Sequence, residues 1–193
     1  MDFLKKGLIA AGILAGKASP IGQNKSFQKN LEKAERGHKK AQYDTGWAYF
    51  FGMGTEMDKT KGVFWYRKSA LQGDKKAQYQ LGVCLLNGDG VDINKEEAIS
   101  YLLMSAEQSY EPAQFMLAEC YSKGNGIEHN DCLAVEWYKK AAEQDYTEAQ
   151  VKLGYAYFYG KGVEVDKEKA RQWFIFAANA EDDEAIQALD NLF

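Results

Sequence analysis

The sequence predicts an all-α fold of stacked antiparallel helical hairpins. Three observations carry this. Four segments beginning AQYDTGWAYFFGMG, AQYQLGVCLLNGDG, AQFMLAECYSKGNG and AQVKLGYAYFYGKG start at Ala41, Ala77, Ala113 and Ala149, with a constant 36-residue spacing. Each ends in a Gly-x-Gly, and each is followed at fixed distance by Asp58, Asn94, Asn130 or Asp166. A fixed period of this length signals a repeat architecture in which each unit needs its neighbours to bury its apolar faces.

Each unit reads as two helices. In the first, the leading alanine is followed four residues later by Thr45, Leu81, Leu117 or Leu153, and after four more by Tyr49, Leu85, Tyr121 or Tyr157. That spacing lays one apolar stripe along a helix. Pro112 sits in a first turn, where its missing N–H is not needed, and Thr147 with Gln150 matches a capping box. The paired glycines, Gly52/Gly54 through Gly160/Gly162, supply the left-handed residue that closes a helix and room for the chain to reverse. The Asp or Asn that follows starts the second helix by accepting a free backbone N–H. Its core stripe runs through Gly62, Ala98, Ala134 and Ala170, then Trp65, Tyr101, Trp137 and Trp173. It ends at Ala70, Ala106, Ala142 and Ala178.

The units fall at residues 39–74, 75–110, 111–146 and 147–182, with a capping helix expected in 21–38 and another in 183–193. Residues 1–20 place Lys5 and Lys6 before an apolar run, Gly7–Gly16, and the small residues Ala18 and Ser19. This is the order of a secretory signal, although Asp2, Lys17 and three glycines depart from it. An N-terminal helical segment is the rival reading. Periplasmic or secreted and cytoplasmic locations both stay open, and the run, about ten residues, is too short to span a bilayer.

The chain carries a net charge of −4, which argues against general nucleic-acid binding because phosphate contacts need a basic surface. Residues 1–38 are basic and the rest acidic, a split compatible with a solvated surface, a basic partner or weak membrane contact of the N-terminus. The cysteines, Cys84, Cys120 and Cys132, are odd in number and lack a CxxC element, so neither a disulfide framework nor a structural zinc site is expected. Cys84 and Cys120 fall where Ala48 and Ala156 stand in other units, a small-residue interface position. Cys132 falls at a helix start, where a thiol pKa is lowered. His38 and His129 fall in turns or loops, and no nucleophile elbow, HExxH or phosphate loop is present. No enzyme activity, metal or cofactor is expected.

The pattern A-x-x-x-L-G-x-x-Y-x-x-G-x-G-V, then Asp or Asn, then K-x-x-A and an aromatic before A-A, resembles the Sel-one-like repeat family. The unit from Ala149 shows it most fully, through Leu153, Gly154, Tyr157, Gly160, Gly162, Val163, Asp166, Ala170, Trp173, Ala177 and Ala178. Thr45, Thr55 and Ala118 are the departures. The resemblance implies a right-handed, tetratricopeptide-like α-solenoid that serves as an adaptor or scaffold and binds a protein or peptide on the concave face lined by the first helices. The candidate groove residues are then Asp44, Trp47, Phe50 and Phe51 in the first unit, Asn87 in the second, Glu119 and Lys123 in the third, and Lys152, Tyr155 and Tyr159 in the fourth. The early positions, Tyr43 and Phe115 among them, are expected to pack against the next unit instead. The alternative is a dedicated inhibitor or immunity-type protein blocking one partner through a larger surface. Oligomeric state is not fixed by the sequence.

Overall fold

The computed structural model describes residues 24–193; the expectations for residues 1–20 lie outside them. Within that span there are ten helices and no strand: α1 (Lys25–Glu35), α2 (Lys39–Phe51), α3 (Lys59–Leu71), α4 (Lys75–Asn87), α5 (Lys95–Glu107), α6 (Glu111–Lys123), α7 (Asp131–Ala142), α8 (Thr147–Tyr159), α9 (Lys167–Asn179) and α10 (Asp183–Leu192). Each helix packs on its neighbours in sequence, most extensively within the hairpins α2/α3, α4/α5, α6/α7 and α8/α9. The result is an α-solenoid with a period of 36 residues.

The start and stop signals act as their chemistry requires. The side chains of Asp58, Asn94, Asn130 and Asp166 accept the N–H of Lys61, Glu97, Leu133 and Lys169 at 2.9–3.1 Å. The same four residues donate their own N–H back to Tyr49, Leu85, Tyr121 and Tyr157 at 2.7–3.0 Å, tying each second helix to the end of the first. Gly160 closes α8 in the left-handed region at φ 70°, its N–H bonded to Ala156. The second glycine has a different task. A Cβ at Gly162 would lie 2.2 Å from the Asp131 carbonyl oxygen, and one at Gly90 would lie 2.5 Å from Lys59. Only glycine lets this loop rest on the first turn of the preceding unit's second helix.

The core is a chain of linked clusters. Leu81, Leu117 and Leu153 are fully buried, as are Ala77, Ala113 and Ala149, so the first-helix stripe is core. In the second helix the deepest side chains are one residue beyond the expected aromatic: Tyr66, Leu102 and Phe174 are fully buried and Tyr138 nearly so, while Tyr101, Trp137 and Trp173 are half-buried. Each such side chain contributes about 1.5–3 kcal/mol.

One expected element is corrected. Thr147 is the first residue of α8, its N-cap is Tyr146, and no side chain caps it. Gln150 instead donates Nε2–H to the Ala142 carbonyl at the end of α7, at 3.3 Å. Gln42, Gln78 and Gln114 do the same to Ala34, Ala70 and Ala106 at 3.1–3.3 Å. Their Oε1 atoms then accept from Gln72, Gln108 and Gln144 at 2.6–2.7 Å. This glutamine ladder adds a second hydrogen bond to carbonyls at a helix end that also accept a backbone N–H at 2.9–3.1 Å. It links each of these first helices to the end of the preceding helix and, in the first three units, to the end of its own hairpin's second helix.

Candidate functional site

Five of the ten expected groove residues converge on one cleft. Glu119 and Lys123 on α6 meet Lys152, Tyr155 and Tyr159 on α8 around a cavity of about 280 Å³. Ser122, Asp131, Tyr138 and Lys161 complete its polar wall, and Ala134, Val135 and Ala156 form the floor.

The helical period explains the convergence. Glu119 and Lys123 are four residues apart on α6, and Tyr155 with Tyr159 are four apart on α8, so each pair shares a face. The Tyr155 and Tyr159 rings run nearly parallel, 12° apart with centroids 6.2 Å apart. Tyr155 is held from beneath by Phe174, edge-on at 4.9 Å, and Tyr159 is 64% exposed. Glu119 is the electrostatic centre. It accepts hydrogen bonds from Lys123 and from the Tyr138 hydroxyl. Burial acts to raise its carboxyl, but those two bonds and the nearby Lys152 outweigh it and hold the group below the usual range. Burial and the bond to Glu119 push the Tyr138 phenol up. At the far wall, Asp131 pairs with Lys161 at 3.3 Å and His129 at 3.2 Å, and Lys161 also donates to Ser122 at 3.2 Å. Lys152 is half-buried and takes part in no ion pair among the described residues.

The remaining candidates do not join this cleft. Trp47 and Phe51 pack ring to ring at 4.3 Å, and both lie against the main core cluster. Phe50 is corrected: it is 8% exposed and belongs to that core. It turns toward α3, where its Cβ would meet a side chain added at Gly62 at 2.9 Å. Asp44 lines a second cleft, about 590 Å³, between α1 and α2 with Lys29 and Lys33. Burial, then Asp74, raise its carboxyl against the pull of Lys40 and Lys76. Asn87 ends α4 and is exposed, apart from either cleft. Tyr43 is half-buried and Phe115 is buried.

Ser122 is a groove position of the third unit by the same spacing, whereas Asp131, Tyr138 and Lys161 are not foreseen from the sequence. Tyr138 carries a signal, because Tyr66 occupies the same position two units earlier. Asp131 starts α7 and Lys161 follows α8, so neither lies on a first helix.

Among the described residues no group of three His, Cys, Asp or Glu side chains is placed to hold a metal ion. No helix there is long and apolar enough to cross a membrane. Cys84 and Cys120 are buried, which pushes their thiols up to about 12 and about 11 and keeps them protonated; Cys132 is exposed.

A regular helical-hairpin solenoid with a mixed polar and aromatic cleft on its first helices defines a repeat protein of the interaction type. The Sel1 repeat family model matches residues 39–74, 75–110, 111–146 and 147–182, and the chain belongs to that family. Its members are generally non-catalytic scaffolds that mediate protein interactions. No curated protein matches the chain. Among solved structures it is similar to a Sel1 repeat protein from Oxalobacter formigenes, at 31% identity and a TM-score of 0.79, over 84% of this chain and 66% of that one. It is also similar to a protective antigen of uropathogenic Escherichia coli with an SLR fold, at 30% identity and a TM-score of 0.71, over 86% of this chain and 43% of that one. The chain therefore spans less than two thirds of either protein's length. An immunity protein from Pseudomonas aeruginosa shares the fold at 20% identity and a TM-score of 0.54, over 95% of this chain and 66% of that one.

Proposed function

We propose that this protein is an adaptor that holds a peptide or protein segment along its first-helix face, anchored in the cleft between α6 and α8, and that it performs no reaction of its own. The observation that carries the reading is the juxtaposition of exposed Tyr159, stacked Tyr155 and half-buried Lys152 in one cavity. Solvent-facing aromatics beside a charged group are the usual anchors of an interface. Trp47 and Phe51 extend the same face toward the first unit as a half-buried aromatic wall. A leaving group or nucleophile has no counterpart in the reading. Glu119 is held ionised by its neighbours and Tyr138 is held protonated, the reverse of a poised acid–base pair.

A second reading, an inhibitor or immunity-type role using a broader surface, draws on the exposed Phe64, Met104 and Phe176 of the second helices. Affinity capture from the native cell separates the two. Under the first reading, Trp47→Ala with Tyr155→Ala abolishes capture while the helical melt is kept. Capture that survives this variant but fails for Phe64→Ala with Phe176→Ala transfers the function to the opposite face.

A further inference from the structure

The positions just before the first helices are occupied by His38, Asp74, Tyr110, Tyr146 and Asp182, each 36 residues apart. Asp74 and Asp182 cap their helices, accepting from Lys76, Ala77 and Ala185 at 3.0 Å. Tyr110 and Tyr146 hold the same extended backbone but make no capping bond. His38 makes none either, so three units forgo a cap that Asp, Asn or Ser would supply, and two of them present a phenol instead. A local rule broken by the same residue type at two equivalent positions points to a function-bearing site.

The two tyrosines do not stand alone. Tyr79, from α4, meets Tyr110 edge to face with centroids 5.5 Å apart. Tyr146 packs on Phe115 at 5.2 Å. All three phenols are half-buried, and none of their hydroxyls makes a hydrogen bond to another described residue. Glu111 and Glu148, in the first turns of α6 and α8, flank the rings and enter no ion pair among the described residues. The groups facing Tyr146 are Glu148, Tyr79, Tyr110 and Glu111, and Tyr79 in turn faces Glu148. The chain's own Lys75 ammonium already rests 5.7 Å from the Tyr110 ring centre, steadied by the Gln108 carbonyl at 3.4 Å.

We propose that Tyr79, Tyr110 and Tyr146, with Glu111 and Glu148, form a receptor for the cationic side chains of a basic, arginine-bearing segment of a protein partner. The inference rests on the first-helix face being the binding surface, and it assigns that surface a partner chemistry. Ring faces attract a cation through their quadrupole, and a planar guanidinium stacks on them while its N–H groups reach carboxylates. Burial, aided by the flanking glutamates, pushes the Tyr79 hydroxyl up to about 12 and the other two higher, so the rings stay neutral, and the carboxylates of Asp74, Glu111 and Glu148 outnumber the single Lys75 ammonium beside them. Complementarity in sign and shape therefore favours a cation over an acidic or apolar peptide.

The test is calorimetric titration of the full chain with N-acetyl-triarginine amide and, separately, N-acetyl-triglutamate amide, at low and high salt. The expected result is saturable, salt-sensitive binding of triarginine alone. Glu111→Gln with Glu148→Gln should weaken it roughly tenfold, and Tyr110→Leu about fivefold. Tyr110→Phe, which keeps the ring, should bind like wild type. Triglutamate binding equal to triarginine, absence of saturation, or indifference to the glutamine pair would each overturn the proposal. Should those failures coincide with loss of partner capture in Trp47→Ala with Tyr155→Ala, the receptor is wrong and the groove reading stands. If capture also survives that variant, both are wrong.

Discussion

Tyr66 and Tyr138 occupy the same position in two units that share a backbone register, yet their hydroxyls have opposite fates. Tyr138 donates to Glu119 at the edge of an open cleft. Tyr66 is fully buried and its hydroxyl makes no hydrogen bond to another described residue. The residue that should receive it, nineteen positions earlier, is Trp47 rather than a glutamate. Around Tyr66 the first-helix face is therefore a wall of packed rings, with Tyr43, Trp47, Phe50 and Phe51 in mutual contact. Around Tyr138 it is a cleft with charges and two tyrosines. The comparison teaches that the repeat fixes where side chains project, and that one substitution per unit decides whether a given stretch closes into core or opens as a site.

The largest expected effect bears on the frame that both regions share. Gly162→Ala places a Cβ against the Asp131 carbonyl at a positive φ, and urea unfolding should show a loss of roughly 3 kcal/mol or more. Because Asp131 also forms the far wall of the cleft, the variant should disturb the Asp131–Lys161 pair as well as the fold. A loss below about 1 kcal/mol would mean that the close approach is not what fixes the glycine.

The tyrosine pair gives a change of sign. Tyr138→Phe removes a hydrogen bond to a charged group and should cost about 1.5–3 kcal/mol. Tyr66→Phe removes a buried hydroxyl with no partner and should raise stability by about 1 kcal/mol. Equal costs at the two positions would break the comparison, because they would mean that both hydroxyls are satisfied alike.

The smallest effect is a pH dependence confined to the cleft. Glu119 has a folded-state pKa below its unfolded value. Its contribution is fully present above the unfolded pKa, about 4.3, and is lost as pH falls through the folded value. The stability difference between wild type and Glu119→Gln should thus be constant near neutral pH and shrink below about pH 4, measured by thermal melts across that range. A difference that grows with acidity would reverse the assignment.

Much of this frame was legible in the sequence. The period, the glycine stops and the Asp or Asn starts involve residues that interact with nearby backbone, so spacing alone reveals them. The glutamine ladder was equally periodic but was read in one unit as a capping box. A glutamine near a helix start can bond its own first turn or the end of the preceding helix. Only the packed position of that preceding helix, which sequence spacing does not encode, decides between them. Phe50 was misplaced for a related reason. It stands three residues from Trp47 and next to Phe51, and a helix stripe that wide faces both groove and core. Half of the candidate site emerged because Glu119, Lys123, Lys152, Tyr155 and Tyr159 follow the helical period. Asp131 and Lys161 reach the cleft from the second helix and the loop, by way of tertiary packing.

The central claim is that recognition is anchored in the open cleft of the third and fourth units, with the aromatic wall of the first extending the same face. The direct measurement is the dissociation constant of the captured partner for Tyr155→Ala with Tyr159→Ala beside that for Phe64→Ala with Phe176→Ala on the opposite face. The account predicts roughly a tenfold or greater weakening for the first pair and wild-type affinity for the second. Wild-type affinity for the first pair, with its fold intact, would contradict it.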